Sequence, residues 1–318
     1  MRINLNAVWG GVLQTTVSKP IIFEGIGLHK GLWSKLVVLP ANIDSGIRFK
    51  RIDVQEGNKF IAAVLDNVVD SELCTRLENS DGVSVSTIEH LMAALTGCGI
   101  NNALLEIDGP EVPIMDGSAL AFVKKVLKTG IKLQRQSSKA IRILRTVEYK
   151  NGLAWAKFQP SKNPKMSFSI EFSDAAIGTQ SKTLDMSNGS FVRELCDSRT
   201  FCRYSEVEAM RSKGLALGGS YENAVVVDGE NVLSPGGLRH SDEPVRHKML
   251  DALGDIALAG YPIIGHYIGN RAGHGITHGL LRSLFSDKEN FEIISCDKET
   301  VDNLPGSGVK LSEVCKLT

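Results

Sequence analysis

The chain has 318 residues, with 36 Lys and Arg against 36 Asp and Glu, so its formal net charge is zero. No long-range positive field draws it to nucleic acid or an anionic membrane, although a few local cations could still hold a small anionic ligand. The length exceeds what one hydrophobic core usually supports, which predicts two domains. A composition of 42% hydrophobic and 23% charged residues is that of an ordinary globular protein.

Cys74, Cys98, Cys196, Cys202, Cys296 and Cys315 form neither a CxxC pair nor a dense framework. They read as free thiols in a reducing compartment, which predicts a cytoplasmic protein. The opening MRINLNAVWGGVLQ lacks the sustained apolar run of a signal peptide. The apolar stretch from Leu253 to Ile268 is interrupted by Asp255, Pro262 and His266, too polar for a membrane span.

In chain order, SKLVVLPA and NNALLEID read as strands. Between them, Ile88, Leu91, Met92 and Leu95 recur at i, i+3, i+4 and i+7, predicting a helix that stops at Gly97 or Gly99. A second helix carries Leu120, Val123, Val126 and Leu127 and ends at Gly130. The first domain is thus expected over residues 1–130. KLQRQSSKA suggests a linker over 131–140, and IRILRTVEY and MSFSIEFS open a second domain over 141–290. SEVEAMRSKG reads as a short helix capped by Ser205 and Glu208, and AVVVDGENVL as a hairpin turning at Asp-Gly. PVRHKMLDALGDIALAG is the strongest helical pattern, with Pro244 suited to its first turn. Residues 291–318 pattern weakly and read as a loosely held tail. The fold class expected is α+β, two layered sandwich domains.

On the helix beginning at Pro244, His247, Asp251 and Asp255 share the side opposite Met249, Leu253, Ile256 and Ala257. The i, i+4 spacing of His247 and Asp251 lets them share one ion, though an isolated HxxxD is more often a surface pair. A catalytic zinc needs a third ligand and leaves its fourth position to water. His90 stands away from its helix's apolar stripe, beside Ala93 and Ala94, which would let another element approach closely. Glu89 precedes it, where it could serve as a base or complete a capping box with Ser86. His274 lies in RAGHGITHG, where a glycine-rich loop could bring it to substrate as a proton donor. GIGLHKG suggests a phosphate loop but lacks the Walker spacing.

Taken together, GIGLHKG, VSTIEHLMAAL, EVPIMDGSALAFV, SRTF, EPVRHKMLDALGD and RAGHG resemble the UDP-3-O-acyl-N-acetylglucosamine deacetylases of Gram-negative bacteria, over about residues 16–285. The resemblance implies zinc-dependent hydrolysis of the substrate's N-acetyl group in lipid A synthesis, with one Zn2+ held by His90, His247 and Asp251. It implies Glu89 as general base, and His274 as the group that stabilises the oxyanion and protonates the leaving amine. Asp255 would orient His274, and the Thr200 hydroxyl would help hold the oxyanion. Lys248, Phe201 and Phe172 would meet the substrate. The implied fold is two facing sandwich domains of similar topology with the site between them, and an insertion near 202–232 forming an acyl passage. The expected partner is UDP-3-O-acyl-N-acetylglucosamine, with no nucleic acid, no stable membrane insertion, and a monomeric chain. A zinc amidase of other range, or a non-catalytic nucleotide-sugar binder, would differ in needing no acyl chain or releasing no acetate.

Overall fold

The structure, a computed structural model, describes residues 13–314. Most of the opening segment read for a signal peptide lies outside the described residues, and so does Cys315.

Strict alternation builds the two main sheets. In Trp33–Pro40 the side chains of Ser34, Leu36 and Val38 point inward, and in Lys165–Glu171 those of Met166, Phe168 and Ile170 do. The first sheet runs Ile21–Ile26, Trp33–Pro40, Ala103–Ile107, Ile47–Arg51, Phe60–Ala62, with only the Ala103–Ile107 to Ile47–Arg51 pairing parallel. The second runs Val147–Asn151, Ala154–Gln159, His266–Asn270, Lys165–Glu171, Thr179–Asp185, again with one parallel pairing, between its third and fourth members. In both, the last strand of the chain order is inserted at the centre. The two halves therefore share one topology, a likeness that no fixed sequence period reveals.

Each central strand is preceded and followed by a helix: α1 (Glu89–Gly97) and α2 (Leu120–Thr129) in the first half, α5 (Glu243–Ile256) and α6 (His274–Phe285) in the second. Between them in the chain come α3 (Ser190–Glu194) and α4 (Tyr204–Ser212), and after them α7 (Lys298–Asp302) and α8 (Leu311–Val314). α2 lies on the first sheet, where Phe122 meets Phe23 edge-on at 4.8 Å, and α5 and α6 lie on the second. The helices α1 and α5 pack on each other between the sheets. Both are buried nearly all round, so the apolar stripes read from sequence mark only part of their contact surface. Among the described residues no helix is long and apolar enough to cross a membrane.

Several sequence readings change. Residues 131–140 are not a linker: Ile131–Ser137 pairs with Leu13–Val17, and Lys139–Ile143 joins a three-stranded sheet. The ribbon at 131–137 is half exposed, which explains its polar composition. Residues 291–314 are not a loose tail, because Phe291–Ser295 is a strand of that three-stranded sheet and Val314 of α8 is buried against the core. The helix α4 begins at Tyr204, with Arg203 at its N-cap and no side-chain cap, so Ser205 and Glu208 form no capping box. The hairpin forms, but Asp228 pairs with Asn231, placing Gly229 and Glu230 in the turn, with φ of 58° at Gly229.

Candidate active site

The chain enters α1 through Thr87, whose φ of 57° reverses the backbone after strand Ser84–Ser86. The Thr87 hydroxyl donates to Glu111 at 2.8 Å, and the N-cap position falls on Ile88. The capping box of Ser86 and Glu89 is therefore absent. The Ser86 hydroxyl donates to the Pro110 carbonyl at 3.2 Å, and Glu89 Oε2 accepts from the Thr75 N–H at 3.1 Å. Glu89 is left free of any duty to its own helix terminus.

Glu111 also decides the fate of GIGLHKG. Its carboxylate accepts from the backbone N–H groups of His29 and Lys30 at 2.7 and 2.8 Å. Those are the donors a phosphate would need, so this turn is no phosphate loop.

Across the helix pair, His90 meets His247 and Asp251 in a buried group whose candidate ligand atoms lie within 4.8 Å of one another. Asp251 Oδ1 lies 3.4 Å from His90 Nε2 and 3.3 Å from His247 Nε2, and has no hydrogen-bond partner. Its other oxygen is taken by Lys248 at 2.6 Å. An unpartnered buried carboxylate oxygen is costly unless a cation completes it. Two imidazole nitrogens and one carboxylate oxygen form a donor set suited to zinc with a fourth position open. His247 Nδ1 lies 3.1 Å from the Ser198 carbonyl, and a proton donated there leaves Nε2 free to ligate. Burial pushes the His247 pKa down to about 4, against the pull of Asp251, so the ring is neutral at pH 7, as a ligand must be.

His274 faces this group from α6. It is the first residue of that helix, not part of a loop. Its Nδ1 lies 2.8 Å from Asp255 Oδ2, and its Nε2 lies 3.8 Å from Glu89 Oε1. Burial works to lower the His274 pKa, but Asp255, Glu89 and Asp251 outweigh it and raise the pKa to about 9. Burial pushes the Glu89 carboxyl above its ordinary value, and Asp251 and Asp255 add to that. Burial pushes Asp255 the same way, but His274 and His278 overcome it and hold that carboxyl well below the carboxylate range. The Glu89 carboxyl and the His274 imidazole, each with its pKa raised, thus face each other beside the candidate cation position.

A cavity of about 870 Å³ opens from this group. Glu89, His90, Phe172, Thr200, Phe201, His247, Lys248, Asp251 and His274 all line it, and Asp255 sits behind His274. Phe172 and Phe201 meet edge-on at 5.4 Å, and Phe201 stands 6.2 Å from the His247 ring. Farther out the wall is Tyr204, Val207, Met210, Ala224 and Val226, from α4 and the strand Val225–Asp228 with the residue before it. On that strand Val225 and Val227 point into the core instead, as strand alternation requires. Leu215 and Leu217 do not line the cavity either. The segment is tied to the first half by Leu217 N–H to the His29 carbonyl at 3.1 Å and Gly218 N–H to the Leu28 carbonyl at 3.0 Å.

The sequence model of the UDP-3-O-acyl N-acetylglycosamine deacetylase family matches residues 14–286. The chain belongs to that family. Among curated relatives, the UDP-3-O-acyl-N-acetylglucosamine deacetylase of Phenylobacterium zucineum is 47% identical over 273 residues, 86% of this chain and 93% of the relative. Those of Shewanella frigidimarina and Shewanella pealeana are 42% and 41% identical over 290 residues, 91% of this chain and 94% of each relative.

Within this family member, three polar residues near the site make contacts that the sequence does not announce. Thr75 and His278 flank Asp255 from behind, the hydroxyl at 2.6 Å and the imidazole Nε2 at 3.3 Å. Glu111 braces the approach to α1. A lone threonine and a helical histidine give no spacing signal. His240 sits elsewhere, paired with Asp197 at 2.9 Å.

Proposed function

We propose that the chain hydrolyses the N-acetyl group of UDP-3-O-acyl-N-acetylglucosamine, releasing acetate in lipid A biosynthesis, with one zinc ion held by His90, His247 and Asp251. The relatives carry that activity in their name. The observation that carries the reading in this chain is the bare Asp251 Oδ1 between two imidazole Nε2 atoms, with Glu89 and His274 facing each other beside it.

Zinc held there supplies Lewis acidity, which makes water far easier to deprotonate. Glu89 accepts the proton as water attacks the acetamide carbon. The Thr200 hydroxyl and protonated His274 stabilise the developing oxyanion. His274 then donates its Nε2 proton to the leaving nitrogen, and Asp255, on Nδ1, keeps that ring oriented. Water and amide become acetate and amine. Lys248 and the aromatic pair Phe172 and Phe201 position the sugar nucleotide, and the apolar outer cavity takes the acyl chain.

The two domains proposed from sequence keep their order, with 131–137 moving to the first and 291–295 to the second. Unpaired buried cysteines such as Cys98 and Cys196 support a cytoplasmic setting.

Purified protein should contain about one zinc per chain and release acetate from the acylated UDP-sugar. Protein that bound the UDP-sugar but released no acetate would overturn the reading.

A further inference from the structure

We propose that Thr75 is a positioning residue for this reaction, one that fixes the base and the carboxylate behind His274 in a common frame; the inference rests on the deacetylase reading above. Thr75 is buried and contributes two groups in two directions. Its backbone N–H donates to Glu89 Oε2 at 3.1 Å, and its hydroxyl donates to Asp255 Oδ1 at 2.6 Å. One residue therefore touches a carboxylate from each half of the molecule.

Those contacts leave each carboxylate one oxygen for the chemistry. With Oε2 held, Glu89 presents Oε1 toward His274 Nε2 at 3.8 Å. With Oδ1 held, Asp255 presents Oδ2 to His274 Nδ1 at 2.8 Å. A carboxylate held at one oxygen alone can rotate, and rotation of Asp255 would release the imidazole it aims. His278 Nε2 also approaches Asp255 Oδ1, at 3.3 Å, a longer contact than the hydroxyl makes. Thr75 is itself anchored independently of the site: the Ser71 hydroxyl donates to the Cys74 carbonyl at 2.6 Å, bracing the turn that precedes it.

Thr75→Val preserves shape and the backbone N–H while removing the hydroxyl. We expect kcat to fall about 10–100-fold, the usual cost of removing such a supporting contact, with KM and zinc content unchanged. Thr75→Ser should restore most of the rate. In an Asp255→Asn background, Thr75→Val should cost little more, because both act through one contact; full additivity would overturn the proposal. Should the valine variant not fold, Thr75→Ala leaves no unpaired polar group of its own and takes its place. Proton NMR of the His274 Nδ1–H gives a readout independent of turnover. That resonance should move in Thr75→Val and return in Thr75→Ser. If it moves while the wild-type protein releases no acetate, the deacetylase reading fails and with it the role in that reaction, while the aiming of His274 through Asp255 and Thr75 stands. An unmoved resonance overturns the positioning role whatever the activity.

Discussion

Gly254 on α5 faces the backbone carbonyl of Glu89 on α1 so closely that a methyl group at its Cα would overlap that oxygen. The crossing of these helices sets the distance between His90 on one and His247 and Asp251 on the other. Glycine here serves close approach of two backbones, since it sits inside a helix where it otherwise costs about 1 kcal/mol relative to alanine. Gly254→Ala should therefore separate the helices, lower stability by about 1–3 kcal/mol as overpacking does, and reduce zinc occupancy and turnover together. Thermal melting, metal content and acetate release measure the three. Wild-type values in all of them would mean that the crossing tolerates a side chain and does not set the ligand spacing.

The metal ligands give a second prediction. His90→Ala, His247→Ala and Asp251→Ala should each lower zinc content and activity while the fold persists. His240→Ala, which removes only the partner of Asp197, should leave both near wild type, and so should zinc content in His29→Ala. Chelation should lower the melting temperature of the wild-type protein, because an ion bound only by the folded state stabilises it. The chelator should have little effect on Asp251→Ala. Three ligand variants that each retained full zinc would refute the assignment.

A third prediction concerns the outer cavity. Ala224 and Val226 line it, whereas Val225 and Val227 fill the core. Ala224→Phe should leave folding intact and shift preference toward shorter acyl chains, while Val225→Asp should unfold the segment by burying an unpaired charge. Each methylene of substrate buried there contributes about 0.8 kcal/mol, so stepwise shortening of the acyl chain should lower kcat/KM stepwise in the wild type. Equal efficiency on acylated and unacylated UDP-sugar would show that the cavity does not hold the chain.

What could be read from sequence follows from how locally each feature is encoded. His247, Asp251 and Asp255 share a helix face by spacing alone, so their grouping was legible. That His90 joins them depends on packing between helices far apart in sequence; its place off the apolar stripe beside Ala93 and Ala94 marked it as a candidate, and the family resemblance assigned it. RAGHGITHG reads as a turn because of its glycines, yet Gly275 and Gly279 lie within α6. Gly279 is there because the Tyr149 ring occupies the space a side chain would need. Residues 131–137 and 291–295 lack clean alternation because each lies in a narrow, half-exposed sheet. Thr75 acts through its fold neighbours, so no pattern in the chain announces it.

The last prediction separates the two roles first open to Glu89. As the N3 member of a capping box, its replacement by glutamine would be nearly silent, because glutamine serves the same N–H. The structure removes that box, since Ile88 occupies the N-cap and the Glu89 carboxylate turns to Thr75 and His274. As general base, Glu89→Gln keeps shape and hydrogen-bonding capacity but loses the proton acceptor, and turnover should fall about 10²–10⁴-fold with zinc and melting temperature retained. The pH profile carries the same assignment. Activity needs Glu89 deprotonated and His274 protonated, so the rate should rise with pH as Glu89 ionises and fall as His274 loses its proton toward about 9. A bound dication would draw both limbs to lower pH. His274→Ala should lose the alkaline limb and keep the acid one. The stability linkage has a definite sign: the His274 pKa is raised above its ordinary 6.5, so its contribution is fully present below that pH and fades as pH climbs through about 9. Melting temperatures of wild type and His274→Ala should therefore converge with rising pH across that window. A Glu89→Gln enzyme with near-normal turnover would leave the reaction without its base, and an unchanged alkaline limb in His274→Ala would take the proton donor's role from that residue.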